Sequence, residues 1–307
     1  MKLIIDTDPG IDDAMAYFYA HACKRLDLVA LTTVFGNVTV EDATRNALWL
    51  VQTSGSSANV YKGVGAPLAI PPNSPSSEVH GDRGFGTYEI NEPDGHAENE
   101  DAADFLVRAA RDDPGEITLC AIGPLTNVAR AIQKDPDFVS NLHQLVIMGG
   151  SLDAPGNVTA HAEANFWNDP HAAEIVVNAP GNGRIVIVGL DVTDRIEVAR
   201  EDFADLERAS PKTGGFLQKI SKFYIDFYER RSGRPYCSLH DPAAVIACHL
   251  PEAFAMEETA LSVVTEGEEI GAMKRRLDGA GHMCHVCVGV DIPAVLLEYK
   301  RITCDNP

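Results

Sequence analysis

Positive charge is scarce in this sequence. Its 25 lysines and arginines stand against 45 aspartates and glutamates, a formal net charge of −20. Such a field repels nucleic acid and anionic membranes, so neither is an expected partner. Tryptophan is nearly absent, with Trp49 and Trp167 the only two. No apolar run approaches the ~20 residues that cross a bilayer. The run ahead of Asp6 is Leu3, Ile4 and Ile5, too short for the core of a secretory leader, and the expected location is cytoplasmic. The 7 cysteines, scattered from Cys23 to Cys304, are odd in number and show no disulfide framework, which fits a reducing compartment. The string His282-Met-Cys-His-Val-Cys287 offers half of a zinc site. A second pair of ligands does not follow it, and small residues alternating along a late strand account for it.

What is present is a regular alternation of short apolar runs with amphipathic stretches over 307 residues. That pattern predicts one α/β domain spanning 1–307, with a mostly parallel central sheet flanked by helices, Rossmann-like, and a site at the strand carboxyl ends. Strands are expected at 3–5, 28–34, 117–122, 144–148, 184–189 and 285–290. Helices are expected at 13–25, 40–54, 97–111, 125–134, 170–178, 214–230 and 242–249. Residues 67–95, rich in Pro, Gly and Ser, read as a long functional loop. Polar clusters follow the strands: Asp6 to Asp13 after the first, Phe35-Gly-Asn37 after the second, Gly123 to Asn127, Gly149-Gly150, then Asp191 and Asp194. In a parallel sheet these ends share one side, where open α/β sheets bind ligands.

Asp6, Asp8, Asp12 and Asp13 fall within one such cluster. Two carboxylates ~4 Å apart repel by about 4 kcal/mol at a near-surface dielectric, and a cation relieves that cost. All-oxygen donors favour a hard ion, Ca²⁺ or Mg²⁺, over zinc. The N-terminal end of the following helix adds positive potential, and one of Asp12 and Asp13 is expected to cap it. An EF-hand is excluded because Gly10 stands at a ligand position and Tyr17 where the closing Glu belongs. A haloacid dehalogenase-like phosphatase, with Asp6 as nucleophile and Asp8 as acid–base, is a competing reading. Against it, Pro9-Gly10 and two further acids follow Asp8, with no suitable late Lys and Gly-Asp pair. A non-catalytic nucleoside- or calcium-binding protein is a further alternative.

The string Asp6-Thr-Asp-Pro-Gly-Ile-Asp-Asp-Ala14 resembles the N-terminal signature of the inosine–uridine-preferring nucleoside hydrolases. Further blocks follow in that family's order: Val34-Phe-Gly-Asn37, Val79-His-Gly81, Ala121-Ile-Gly-Pro-Leu-Thr-Asn127, Ile147-Met-Gly-Gly150, Gly156-Asn-Val-Thr159, Ala162-Glu-Ala-Asn165 and Leu239-His-Asp-Pro-Ala-Ala-Val245. The likeness covers nearly the whole chain. It implies calcium-dependent hydrolysis of the N-glycosidic bond of ribonucleosides by a homodimer or homotetramer. The implied Ca²⁺ ligands are Asp8, Asp13, Asp241 and the main-chain carbonyl of Thr126. Asp12, Asn157, Glu163 and Asn165 are implied to hold the ribose, with Asn37, Met148 and the ligand Asp241 beside it. Asp8 then serves as general base towards water and His240 as general acid towards the leaving base, with His80 touching that base. Tyr224 and Tyr228, one helical turn apart, read as core, with closure of one of them over the base as the alternative. The sequence departs from the family pattern at His161 and Ala164, where a small residue and an aromatic are expected, which leaves base preference open. Neither tryptophan falls in a loop expected to stack on a base.

Overall fold

Runs such as Leu3-Ile4-Ile5 and Ile185-Val-Ile-Val188 are buried on both faces, as strands of a covered parallel sheet must be. The computed structural model describes residues 1–181, 184–277 and 280–303; Cys304 lies outside them. Among the described residues the eleven strands are β1 Lys2–Thr7, β2 Asp27–Thr33, β3 Asn59–Lys62, β4 Ile117–Ala121, β5 Gln144–Met148, β6 Ile185–Val188, β7 Glu197–Ala199, β8 Tyr236–Ser238, β9 Phe254–Val263, β10 Met273–Arg275 and β11 Met283–Val290. Nine of them form one sheet in the order β10-β9-β11-β6-β5-β4-β1-β2-β3. From β3 to β11 every pairing is parallel; β9 runs antiparallel to β11 and to β10. β7 and β8 form a separate antiparallel pair.

Two hydrophobic cores lie on opposite faces, Leu3 and Ile5 pointing into one and Ile4 into the other. The chain winds outward from β1 to β3, then returns and winds the other way from β4. β1 and β4 therefore lie side by side at a topological switch point, where such sheets bind ligands. Cys284 and Cys287 are three residues apart on β11, so alternation sends the two thiols into opposite cores and they cannot share a metal.

The seven expected helices all form, Val40–Ser54 with the expected ends and the other six with shifted ones. The first starts at Ile11, because Gly10 caps it, and ends at Ala22, where Cys23 turns extended. That expected at 97–111 starts at Ala102, because the Asp101 side chain accepts from the Ala103 N–H at 3.0 Å. The loop 67–95 holds one short helix, Ser77–His80. Among the described residues, no helix is long and apolar enough to cross a membrane.

Candidate active site

The switch-point crevice opens into a cavity of about 940 Å³. Asp12, Asn37, His80, Met148, Asn157, Glu163, Asn165, His240 and Asp241 all line it, although the chain separates the first from the last by most of its length. Asp8 and Asp13 lie just beneath, both buried.

Asp13 carries the capping role expected of one acid: its Oδ2 accepts from the Gly10 N–H at 2.9 Å and from Asn37 Nδ2 at 3.0 Å. Its Oδ1 accepts from the Thr7 hydroxyl at 2.5 Å and the Asp8 N–H at 3.2 Å. Asp8 Oδ2 accepts from the Asn37 N–H at 2.6 Å, while Asp8 Oδ1 and Asp12 Oδ1 are buried without a hydrogen bond. Glycine is required around Asp8, because a Cβ at Gly123 would stand 2.7 Å from Asp8 Oδ1. Asp12, Asp13 and Asp241 place carboxylate oxygens within 4.8 Å of one another. The three do not include Asp8, so the tightest cluster differs from the expected set of ligands.

Electrostatics matches this crowding. Burial, then Asp13, pushes the Asp8 carboxyl well above its usual range. Burial and the nearby Asp12, Asp13 and Asp8 do the same to Asp241. Burial raises Asp12 and Asp13 as well. A buried all-oxygen set with unpartnered oxygens, each carboxylate resisting ionisation beside the next, fits a hard divalent cation.

Around this floor stand the polar walls. Glu163 caps the helix Ala164–Asn168, accepting from the Asn165 N–H at 2.9 Å and, through its other oxygen, from Gly150 and Phe166 at 2.9 and 3.2 Å. Burial still pushes it up to about 7. Asn165 Nδ2 donates to the carbonyls of Ile122 and Met148 at 3.0 and 3.1 Å. Asn157 Oδ1 accepts from the Ala164 N–H at 3.0 Å, which ties its loop to the same helix. His80 Nδ1 accepts from the Ile11 N–H at 3.2 Å, so the neutral ring carries its proton on Nε2; burial lowers its pKa to about 4. His240 is held at Nδ1 by the Thr193 hydroxyl at 2.9 Å and at Nε2 by the Tyr228 hydroxyl at 2.7 Å.

Thr126, the two tyrosines and Trp167 stand differently from expectation, and Asp6 supports the floor from behind. Thr126 is not among the residues that line the cavity; it opens the helix Thr126–Lys134 and its hydroxyl donates to Asp169 at 2.7 Å. Carbonyls of a helix's first turn point along the axis towards its C-terminus, here away from the strand ends, whereas Ile122 at the end of β4 lines the cavity. Asp6 is fully buried, accepts from Thr32 at 2.5 Å and Asn127 at 2.8 Å, and is not among the lining residues. With its Oδ1 taken by Thr32 and Asn127, Asp6 gives the phosphatase reading no support. Tyr224 and Tyr228 are not mere core. The Tyr224 hydroxyl donates to Asp12 Oδ2 at 3.1 Å, and both tyrosines line the cavity. Trp167 also lines it, while Trp49 packs on Phe85, Tyr88 and Phe216.

Comparison with known proteins places this arrangement. Residues 3–296 match the family model described as inosine-uridine preferring nucleoside hydrolase. Uridine nucleosidase 1 of Arabidopsis thaliana is 38% identical over 271 residues, covering 88% of this chain and 80% of that protein. A solved plant nucleoside hydrolase superimposes with a TM-score of 0.95 at 35% identity, over 98% of both chains. A purine-preferring ribonucleoside hydrolase from Gardnerella vaginalis does so with 0.94 at 32% identity, over 99% of this chain and 98% of that one. With the match running through the cluster Asp6–Asp13, the cavity and the late His240-Asp241 pair, the chain belongs to the inosine-uridine preferring nucleoside hydrolase family of enzymes.

Proposed function

We propose that this enzyme hydrolyses the N-glycosidic bond of ribonucleosides in the inosine–uridine range with the help of Ca²⁺. The observation that carries the reading is the buried acid floor, Asp8, Asp12, Asp13 and Asp241, beneath a cavity walled by Glu163, Asn165, His80 and His240. The proposed ligands are the carboxylates of Asp8, Asp13 and Asp241, with the Ile122 carbonyl in place of that expected from Thr126. When bound, Ca²⁺ would supply a template for vicinal ribose hydroxyls and lower the pKa of a water.

The chain's own residues do the rest. Asp12, Asn157, Glu163 and Asn165 offer acceptors and donors for ribose hydroxyls, with Asn37 and Met148 beside them. Tyr224 orients Asp12 through its hydrogen bond and leaves Oδ1 for the sugar. Asp8 takes the proton of the attacking water as the C1′–N bond breaks through an oxocarbenium-like transition state. The departing base keeps the bonding pair and takes a proton from the Tyr228–His240 pair, whose hydrogen bond measures 2.7 Å. His80 contacts the base as a neutral donor through Nε2. A homodimer or homotetramer remains part of this reading, and light scattering measures it.

Ribose release from inosine, uridine, cytidine and adenosine, with chelator and after calcium is restored, tests the reaction. Asp8→Ala is expected to lower kcat by at least ~100-fold, the usual worth of a general base. Full ribose release from that variant removes Asp8 as the base.

A further inference from the structure

The helix Ile11–Ala22 and the helix His240–Ala247 each begin at the active site, with Asp13 and Asp241 in their first turns. Just past the far end of each stands a metal-ligating side chain that the reaction does not use: Cys23 after the first and His249 after the second. Glu298 of the helix Ile292–Tyr299 joins them. Twelve residues of helix put this cluster about 18 Å from the acid floor.

We propose that Cys23, His249 and Glu298 form a second metal site, selective for Zn²⁺ and independent of the catalytic one. Their three ligand atoms lie within 4.8 Å of one another, and Cys23 Sγ is 3.7 Å from His249 Nε2. Tetrahedral zinc with Zn–S of about 2.3 Å and Zn–N of about 2.0 Å separates the two atoms by ~3.5 Å, so the pair needs almost no movement. Thiolate, imidazole and carboxylate suit zinc and suit calcium poorly. One thiolate and one carboxylate also balance the ion's charge.

The surroundings allow entry. A cavity of about 180 Å³ adjoins the cluster, lined by Tyr19, Cys23 and Glu298 among others, with room for a water as fourth ligand. The Tyr19 hydroxyl now bridges the ligands, 2.7 Å from His249 Nε2 and 3.2 Å from Glu298 Oε1. It donates to Glu298, so it accepts from Nε2–H, and His249 Nδ1 is left buried without a hydrogen bond. Zinc binding replaces this bridge: the Nε2 proton moves to Nδ1, the Cys23 thiol loses its proton to solvent, and Glu298 Oε1 turns from the hydroxyl to the ion. Burial lowers the His249 pKa, which keeps the ring in its neutral, ligating form. Arg301 holds the other oxygen, Oε2, at 3.3 Å and leaves Oε1 for the metal. Of the described cysteines, Cys23 alone is half-exposed; the others are buried.

The test uses the whole enzyme with calcium at saturation, so that the acid floor is filled. Zn²⁺ is titrated against a chromophoric chelator, and Co²⁺ serves as the spectroscopic substitute. The expected result is one zinc per chain and a thiolate-to-cobalt charge-transfer band. Cys23→Ser and His249→Gln should each weaken zinc binding by at least ~10-fold, the loss caused by removing even an outer hydrogen-bond partner of a ligand. Asp241→Asn should leave it unchanged. Cys23→Ser should keep its calcium-dependent ribose release, which shows that it folds. Absence of stoichiometric zinc, a cobalt complex without the thiolate band, or a band that persists in Cys23→Ser overturns the proposal.

Discussion

Glu163 and Asp6 are both buried carboxyls pushed up to about 7, yet they stand in different places. Asp6 is enclosed behind β1 by Thr32 and Asn127, while Glu163 lines the cavity. A carboxyl whose folded pKa exceeds its unfolded one binds more protons when folded. Its contribution to stability is therefore full below the unfolded value and is lost as pH rises through the folded one. For Glu163 the window runs from 4.5 to about 7. Glu163→Gln removes this titration at a fixed cost, because an amide nitrogen must face main-chain N–H groups that the carboxylate now satisfies. In metal-free protein the parent should exceed the variant in Tm at pH 5, and the difference should shrink towards pH 8, by on the order of 3 kcal/mol at most. A Tm difference that is flat from pH 5 to 8 shows that Glu163 is ionised throughout. At this scale the sequence was most legible where neighbours in chain are neighbours in space, as in Asp6–Asp13 and His240-Asp241. Tyr224 escaped because its partner Asp12 is 212 residues away, and helical spacing tells which residues share a face but not what the face meets. Between Thr126 and Ile122 the sequence offers no choice of main-chain ligand, because a main-chain carbonyl carries no side-chain signature.

The short helix Ser77–His80 and the helix Thr213–Ser232 both line the cavity, and the segment after the first packs against the second. They meet at Gly86, whose φ of +61° and lack of a side chain let Phe223 approach; a Cβ there would lie 2.7 Å from that of Phe223. The Gly86 N–H also donates to the His80 carbonyl at 2.7 Å, so this contact sets where His80 stands. Gly86→Ala introduces left-handed strain of about 1–2 kcal/mol and separates loop from helix. It should lower kcat/KM for inosine several-fold while calcium affinity is kept. A lowered Tm with unchanged kinetics would show that the contact is structural only. The parallel strands and their following helices were legible because each is a continuous apolar run or a regular apolar stripe. β9 was not, since Glu257-Glu-Thr259 interrupts its apolar residues, and β3, β7, β8 and β10 are too short to show a period. The crevice survived these omissions, because the strands that frame it are the strongly apolar central ones.

Across the whole molecule, 45 acidic against 25 basic residues make the compact state repel itself, and the buried floor concentrates that repulsion where water cannot screen it. An ion that binds the folded chain and not the unfolded one stabilises it by RT ln(1 + [L]/Kd), about 2.7 kcal/mol at 100 Kd. For a chain of 307 residues that corresponds to a rise in Tm of roughly 4 °C. Chelation should lower Tm by this amount, and calcium should restore it with a logarithmic dependence on concentration. Surface charge responds differently: any salt of equal ionic strength screens it, so sodium chloride at matched ionic strength should leave most of the calcium effect untouched. Asp241→Asn separates the two contributions further, because it removes one floor carboxylate and changes the surface hardly at all. The variant should be as stable as the parent, or more so, in chelator, and should lose the response to calcium. If parent and variant respond alike, calcium acts on the acidic exterior and the buried carboxylates are held apart by their own protons.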